Sequence, residues 1–223
     1  MNTYIEKFKQ LVHKYSHAWV FLYGFIYMPW FAWLEKNITT NFYVIHSSLD
    51  DHIPFIEYFI IPYLLWFLYV AVTLLYFFFT DKHGFYKVTA LLFTGMTIFL
   101  IICTVFPNGL NLRPVVFERD NFCVDLVKTL YLTDTPTNVL PSLHVYNSIG
   151  CCIAIAKCQR LQKYKWVQIG SFVLAVSIVL STMFLKQHSI VDVIAAFVMM
   201  YFVYHIVYTP IEQKVSTCIQ QGI

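Results

Sequence analysis

Two histidines and the residues spaced around them define the chemistry this sequence can do. His144 closes the run Pro141-Ser142-Leu143-His144, and His188 lies seven residues after Ser181, with Asp192 four residues further on. Residues four apart share a helix face, so His188 and Asp192 can meet. A carboxylate beside an imidazole fixes its tautomer and stabilises the imidazolium. An aspartate at the start of an apolar run is costly and marks a functional site by default. A purely structural His–Asp tie between two helices is the competing reading. His144 stands where a helix begins, and free N–H groups at a helix start suit an anion. Ser142 adds a hydroxyl there and Leu143 a backbone N–H. Arg113, followed by Pro114, can grip two phosphate oxygens at once. Lys186 stands two residues before His188. Histidine, arginine, lysine and serine brought together in this way are what phosphate ester chemistry requires.

The elements that must hold these residues are apolar. The chain has 223 residues, of which 59% are hydrophobic and 12% charged, with a mean hydropathy of +0.63. A soluble domain is closer to a quarter charged, so an integral membrane protein is expected. Six apolar segments are read, at 17–34, 58–79, 88–106, 143–158, 166–185 and 189–209. Runs near twenty residues suit helices crossing about 30 Å of hydrocarbon. They are continuously apolar rather than alternating, which argues against a barrel. Residues 3–15 place Ile5, Phe8, Leu11 and Val12 on one face, as an interfacial helix over 1–16 would. The expected fold is all-α: a six-transmembrane-helix bundle in one domain spanning 1–223. The net charge of +3 is not clustered and gives no support for nucleic-acid binding. The six cysteines show no paired framework.

Lys and Arg set the orientation. Of 15 in all, Lys36, Arg113, Arg119, Lys128 and Lys186 fall on one side of the six segments and the other ten fall with the N-terminus. That bias puts both termini in the cytoplasm. The 107–141 loop and the 181–188 turn then share the outer face, where a plasma-membrane site would meet lipid.

Arg-Pro, then P-S-x-H, then S-x6-H-x3-D follow one another in that order. In this the chain resembles the type 2 phosphatidic acid phosphatase superfamily, whose pattern is K-x6-R-P, P-S-G-H and S-R-x5-H-x3-D. The resemblance covers the six-helix layout and residues 106–192. It implies His188 as the nucleophile that becomes a phosphohistidine, oriented by Asp192. His144 would be the general acid for the leaving oxygen. Arg113, Ser142 and the Leu143 position would hold the phosphate oxygens. The implied reaction takes a lipid phosphate or pyrophosphate from the bilayer and needs neither metal nor cofactor.

Three positions depart from the pattern. Phe106 stands for the lysine, Leu143 for the glycine and Thr182 for the arginine. If helix continues from Thr182 to Lys186, the lysine replaces the missing arginine one turn away. The S-L-H form and the absent lysine are similar to the phosphotransferase branches that make sphingomyelin or inositol phosphorylceramide, which leaves a head-group transferase open. A non-catalytic lipid-phosphate binder or transporter would dispense with His144, His188 or Asp192, and all three are present.

Overall fold

The computed structural model describes residues 6, 9–10 and 12–220. The interfacial helix expected over 1–16 falls largely outside the described residues. Helices α1 (Gly24–Asn37), α2 (Ile60–Thr80), α3 (Lys82–Val105), α4 (Phe122–Thr133), α5 (Leu143–Lys157), α6 (Lys165–Phe184), α7 (Ile190–Val203) and α8 (Thr209–Gln220) make up most of the fold. A 3-10 stretch, Ser16–Tyr23, runs into α1, and a π-helical turn, Tyr204–Tyr208, joins α7 to α8.

Among the described residues four helical stretches are long and apolar enough to cross a membrane: Glu57–Thr80, Lys82–Val105, Lys165–Phe184 and Ile190–Lys214. The chain is an integral membrane protein. The other two expected segments differ. The first divides between the 3-10 stretch and α1, and α5 has 15 residues. The reason in α5 is its start. Pro141 and the capping Ser142 fix the N-terminus just before His144.

The core lies where α5 meets α3, α6 and α7. Leu91, Leu92, Val145, Tyr146, Ile178, Val193 and Ala196 are buried together there. Gly95 allows the approach of α3 to α5, because a Cβ at that position would sit 2.1 Å from the Tyr146 ring. Tyr146 then donates its hydroxyl to the Leu91 carbonyl at 2.7 Å. By contrast Ile61, Leu68, Phe172 and Phe202 are exposed, as lipid-facing side chains would be.

The 107–141 region is more ordered than its polarity suggested. It contains α4 and a short strand β2 (Asn108–Gly109), which pairs in parallel with β1 (Tyr43–Val44). Asn108, fully buried, receives the N–H groups of Val139 and Leu140 on its Oδ1 at 2.9 and 2.8 Å. One side chain thus fixes the approach to α5 and its histidine.

Candidate active site

His188 is presented by a turn, not by a helix. α6 ends at Phe184, and Lys186 takes a left-handed φ of 53°. The N–H groups of Gln187 and His188 both donate to the Thr182 carbonyl, at 2.9 and 3.0 Å. Ser189 then caps α7: its Oγ accepts the Val191 N–H at 3.1 Å, while Asp192 returns a carboxylate oxygen to the Ser189 N–H at 2.9 Å. That capping box holds Asp192 in place. The same oxygen, Oδ2, lies 3.3 Å from His188 Nδ1. The four-residue spacing delivers the expected pair, but across a helix cap. Asp192 is fully buried and His188 nearly so.

His144 occupies the first turn of α5. Its ring stacks on Tyr63 at 4.5 Å between centroids and tilts against Trp66 at 4.3 Å. The His144 and His188 rings are 5.8 Å apart. The Ser142 N–H donates to the Asp192 carbonyl at 3.2 Å, locking the two helix starts together. Ser142 Oγ accepts the Val145 N–H at 3.4 Å, so this hydroxyl serves as the helix cap.

Both histidines line a cavity of about 480 Å³. Leu143, Gln187, Glu35, Asp134 and Asn138 line it too, with a wall of Tyr27, Phe31, Tyr63, Trp66, Phe67 and Phe99. Neither Arg113 nor Lys186 is part of that lining.

Arg113 sits one residue behind the surface. Its guanidinium donates to the carbonyls of Tyr131 (3.3 Å), Asp134 (2.8 Å) and Thr135 (3.1 Å), and to Gln187 Oε1 at 2.6 Å. It also lies over the Tyr131 ring at 4.6 Å. The Arg113 guanidinium, expected to grip phosphate, is held by these carbonyls and by Gln187, which lines the cavity. A guanidinium has donors only, so it must face the carboxamide oxygen. The Gln187 Nε2 is thereby the remaining end, buried and unpartnered.

The helical premise for Lys186 is corrected. Helix does not continue from Thr182 to Lys186, and the two do not stack one turn apart. The Lys186 ammonium donates to the carbonyls of Asp50, at 2.7 Å, and Ile53. Burial pulls its pKa down, against the pull of Asp50 and Asp51.

The profile of the PAP2 superfamily matches residues 89–215, more than half of the chain. The chain belongs to the PAP2 superfamily. No curated protein and no solved structure matches it. Phosphatase or related phosphotransferase chemistry comes with PAP2 membership. The matched stretch contains Arg113, His144, His188 and Asp192, and begins within α3.

Several residues that shape this PAP2 site escaped the sequence reading. Asp50 is one: its buried carboxylate takes Ser189 Oγ at 2.6 Å, the Ile190 N–H at 2.9 Å and the Ser47 N–H at 2.8 Å. Its lone signal was an acidic pair, Asp50-Asp51, in a short loop. Gln187 carried no motif signal beyond standing next to His188. Glu35 was visible as a carboxylate ending an apolar segment. In the cavity its oxygens accept Thr135 Oγ1 at 2.5 Å and Asn138 Nδ2 at 2.6 Å. Asp134 lies 4.0 Å from Arg113, and burial raises its pKa more than the guanidinium lowers it.

Proposed function

We propose that this chain is a metal-independent membrane lipid phosphatase working through a phosphohistidine. The observation that carries the reading is the pairing of His188 Nδ1 with the buried Asp192 carboxylate, 5.8 Å across from the His144 ring in a shared cavity. With Nδ1 turned to Asp192, Nε2 is the nitrogen left to act. His188 Nε2 attacks phosphorus, an N–P bond forms, and the bond to the lipid oxygen breaks. His144 gives its proton to that oxygen. Water then attacks phosphorus with His144 as base, the N–P bond breaks and inorganic phosphate leaves. Asp192 stabilises the charge His188 carries on the way. Gln187 Nε2 and the N–H groups at the start of α5 face the oxygens on which charge grows.

The substrate in this reading is a lipid phosphate or pyrophosphate drawn from the bilayer. The chain is a single membrane-embedded domain of six crossing segments, α1 and α5 completing the four longer ones. Both termini are cytoplasmic and the site opens on the outer face of the plasma membrane, as the Lys and Arg distribution favours.

One observation favours a second reading, a head-group phosphotransferase in which an alcohol replaces water. Among the described residues the cavity is lined by two carboxylates and no lysine or arginine, a weaker lure for a dianionic monoester than for a less charged diester. Purified chain with vesicles of a lipid phosphate decides between them. Phosphate release without an added alcohol, lost in His188→Ala and slowed in His144→Ala, supports the phosphatase. Turnover that appears only with an alcohol acceptor supports the transferase. No turnover with either refutes both.

A further inference from the structure

Resting on the reading of His144 as the acid that releases the lipid oxygen, we infer that Trp66 and Tyr63 are positioning residues for that step. Their ring faces hold the His144 imidazole and support its protonated form, the task that Asp192 performs for His188. The two histidines keep different company. His188 has a carboxylate, with Asp192 Oδ2 3.3 Å from its Nδ1. His144 forms no ion pair among the described residues, and its Nε2 is buried without a hydrogen bond.

What surrounds His144 is aromatic. Tyr63 stacks on its ring with 4.5 Å between centroids and 26° between planes. Trp66 lies at 4.3 Å and 42°, and Phe67 meets the ring edge-on at 6.4 Å. All three come from the start of α2. Positions 63, 66 and 67 are three and four apart, so one face of that helix carries them. The Trp66 Nε1 is buried and unpartnered. The indole is therefore held there by ring contact, with no hydrogen bond to account for its placement.

An acid must carry its proton before it can give it up, and an imidazolium in a partly buried site needs a partner for its charge. The electron-rich faces of Trp and Tyr attract a cation within about 6 Å of the ring centroid. In the step itself the bond from phosphorus to the lipid oxygen breaks and its electron pair stays on that oxygen. The oxygen takes the His144 proton, and His144 is left neutral. In the transition state the proton is only partly passed on, so the rings still face partial positive charge there. They also fix the plane of the imidazole, and with it the direction in which the proton is offered.

Leaving groups separate this role from packing. The alkoxide leaving dodecyl phosphate needs the proton, whereas the phenolate leaving 4-nitrophenyl phosphate hardly does. For full-length protein in non-ionic detergent, kcat/KM is measured on both, and the readout is the ratio of the first to the second. General damage to the site lowers both values and leaves the ratio alone. Trp66→Leu should lower the ratio on the order of tenfold. Trp66→Phe, which keeps a ring face, should recover most of it. A ratio unmoved by Trp66→Leu, or no better in Trp66→Phe, overturns the inference. If Trp66→Leu does not fold, fluorinated tryptophans placed at position 66 decide, since they keep the shape of the ring and weaken its face. A stepwise fall in the ratio with added fluorine supports the inference, and a constant ratio overturns it. His144→Ala should lower the same ratio further. If it does not, the acid role of His144 falls, and with it the reading on which the inference rests.

Discussion

Arg113 Nη2 donates to Gln187 Oε1 at 2.6 Å, and this contact leaves the Nε2 end of the carboxamide buried and without a hydrogen-bond partner among the described residues. In the proposed mechanism the Arg113 charge would act on phosphate through this neutral amide. Gln187→Leu removes the donor and should lower kcat/KM on the order of a hundredfold, the usual cost of one transition-state donor. Gln187→Glu keeps the contact to Arg113 but presents a carboxylate, and should lose at least as much. Steady-state turnover, with thermal unfolding as a control for folding, checks both. Near wild-type turnover in Gln187→Leu would remove Gln187 from the site.

Asp50 holds the start of α7 from a separate loop. Asp50→Asn gives up part of a buried carboxylate that receives three hydrogen bonds. The expected loss is about 2 kcal/mol of stability, in the range of one hydrogen bond to a charged group. Because Ser189 follows His188 directly, turnover should fall as well. Denaturant unfolding in detergent micelles measures the first effect, and an unchanged midpoint would contradict it.

Lys186 ties the His188 turn to the 50–53 loop through two carbonyls. Lys186→Met should therefore lower the melting temperature, and Thr182→Arg should not rescue it, since Thr182 is fully buried within α6. A turnover loss of about a hundredfold at an unchanged melting temperature would instead make Lys186 a phosphate-binding cation.

The Asp134 carboxyl has its pKa raised, chiefly by burial. A folded-state value above the unfolded one means that its contribution favours the folded chain below the unfolded pKa. That contribution is lost as pH rises through the folded pKa. Asp134→Asn removes the dependence. The melting temperature of the variant relative to wild type should therefore be higher at pH 7 than at pH 4. A difference that moves the other way would show that the pairing with Arg113 outweighs burial.

The sequence made the helical membrane class and the histidine–aspartate pair legible, because both rest on local information: long apolar runs, and a spacing of four between His188 and Asp192. It was less informative where a turn decided the outcome. Nothing in Leu185-Lys186-Gln187 announces a left-handed residue, yet Lys186 at φ 53° turns its own ammonium toward Asp50 and Ile53 and leaves Gln187 lining the cavity. The setting of Arg113 was not legible, since the carbonyls that hold it come from residues 131–135, some twenty positions away. Asp50 and Glu35 are long-range partners, separated from their contacts by 139 and 100 residues. Periodicity and motif spacing carry no trace of such pairings.

The central claim is that His188 becomes covalently phosphorylated. Rapid acid-free quenching of the purified protein with a lipid labelled at phosphorus, followed by peptide mapping, tests it directly. The account predicts label on His188, stable to alkali and released by acid, and absent from His188→Ala. It also predicts accumulation in His144→Ala if loss of the base slows hydrolysis more than loss of the acid slows formation. Label recovered on Ser142 or another residue, or full turnover by His188→Ala, would contradict it.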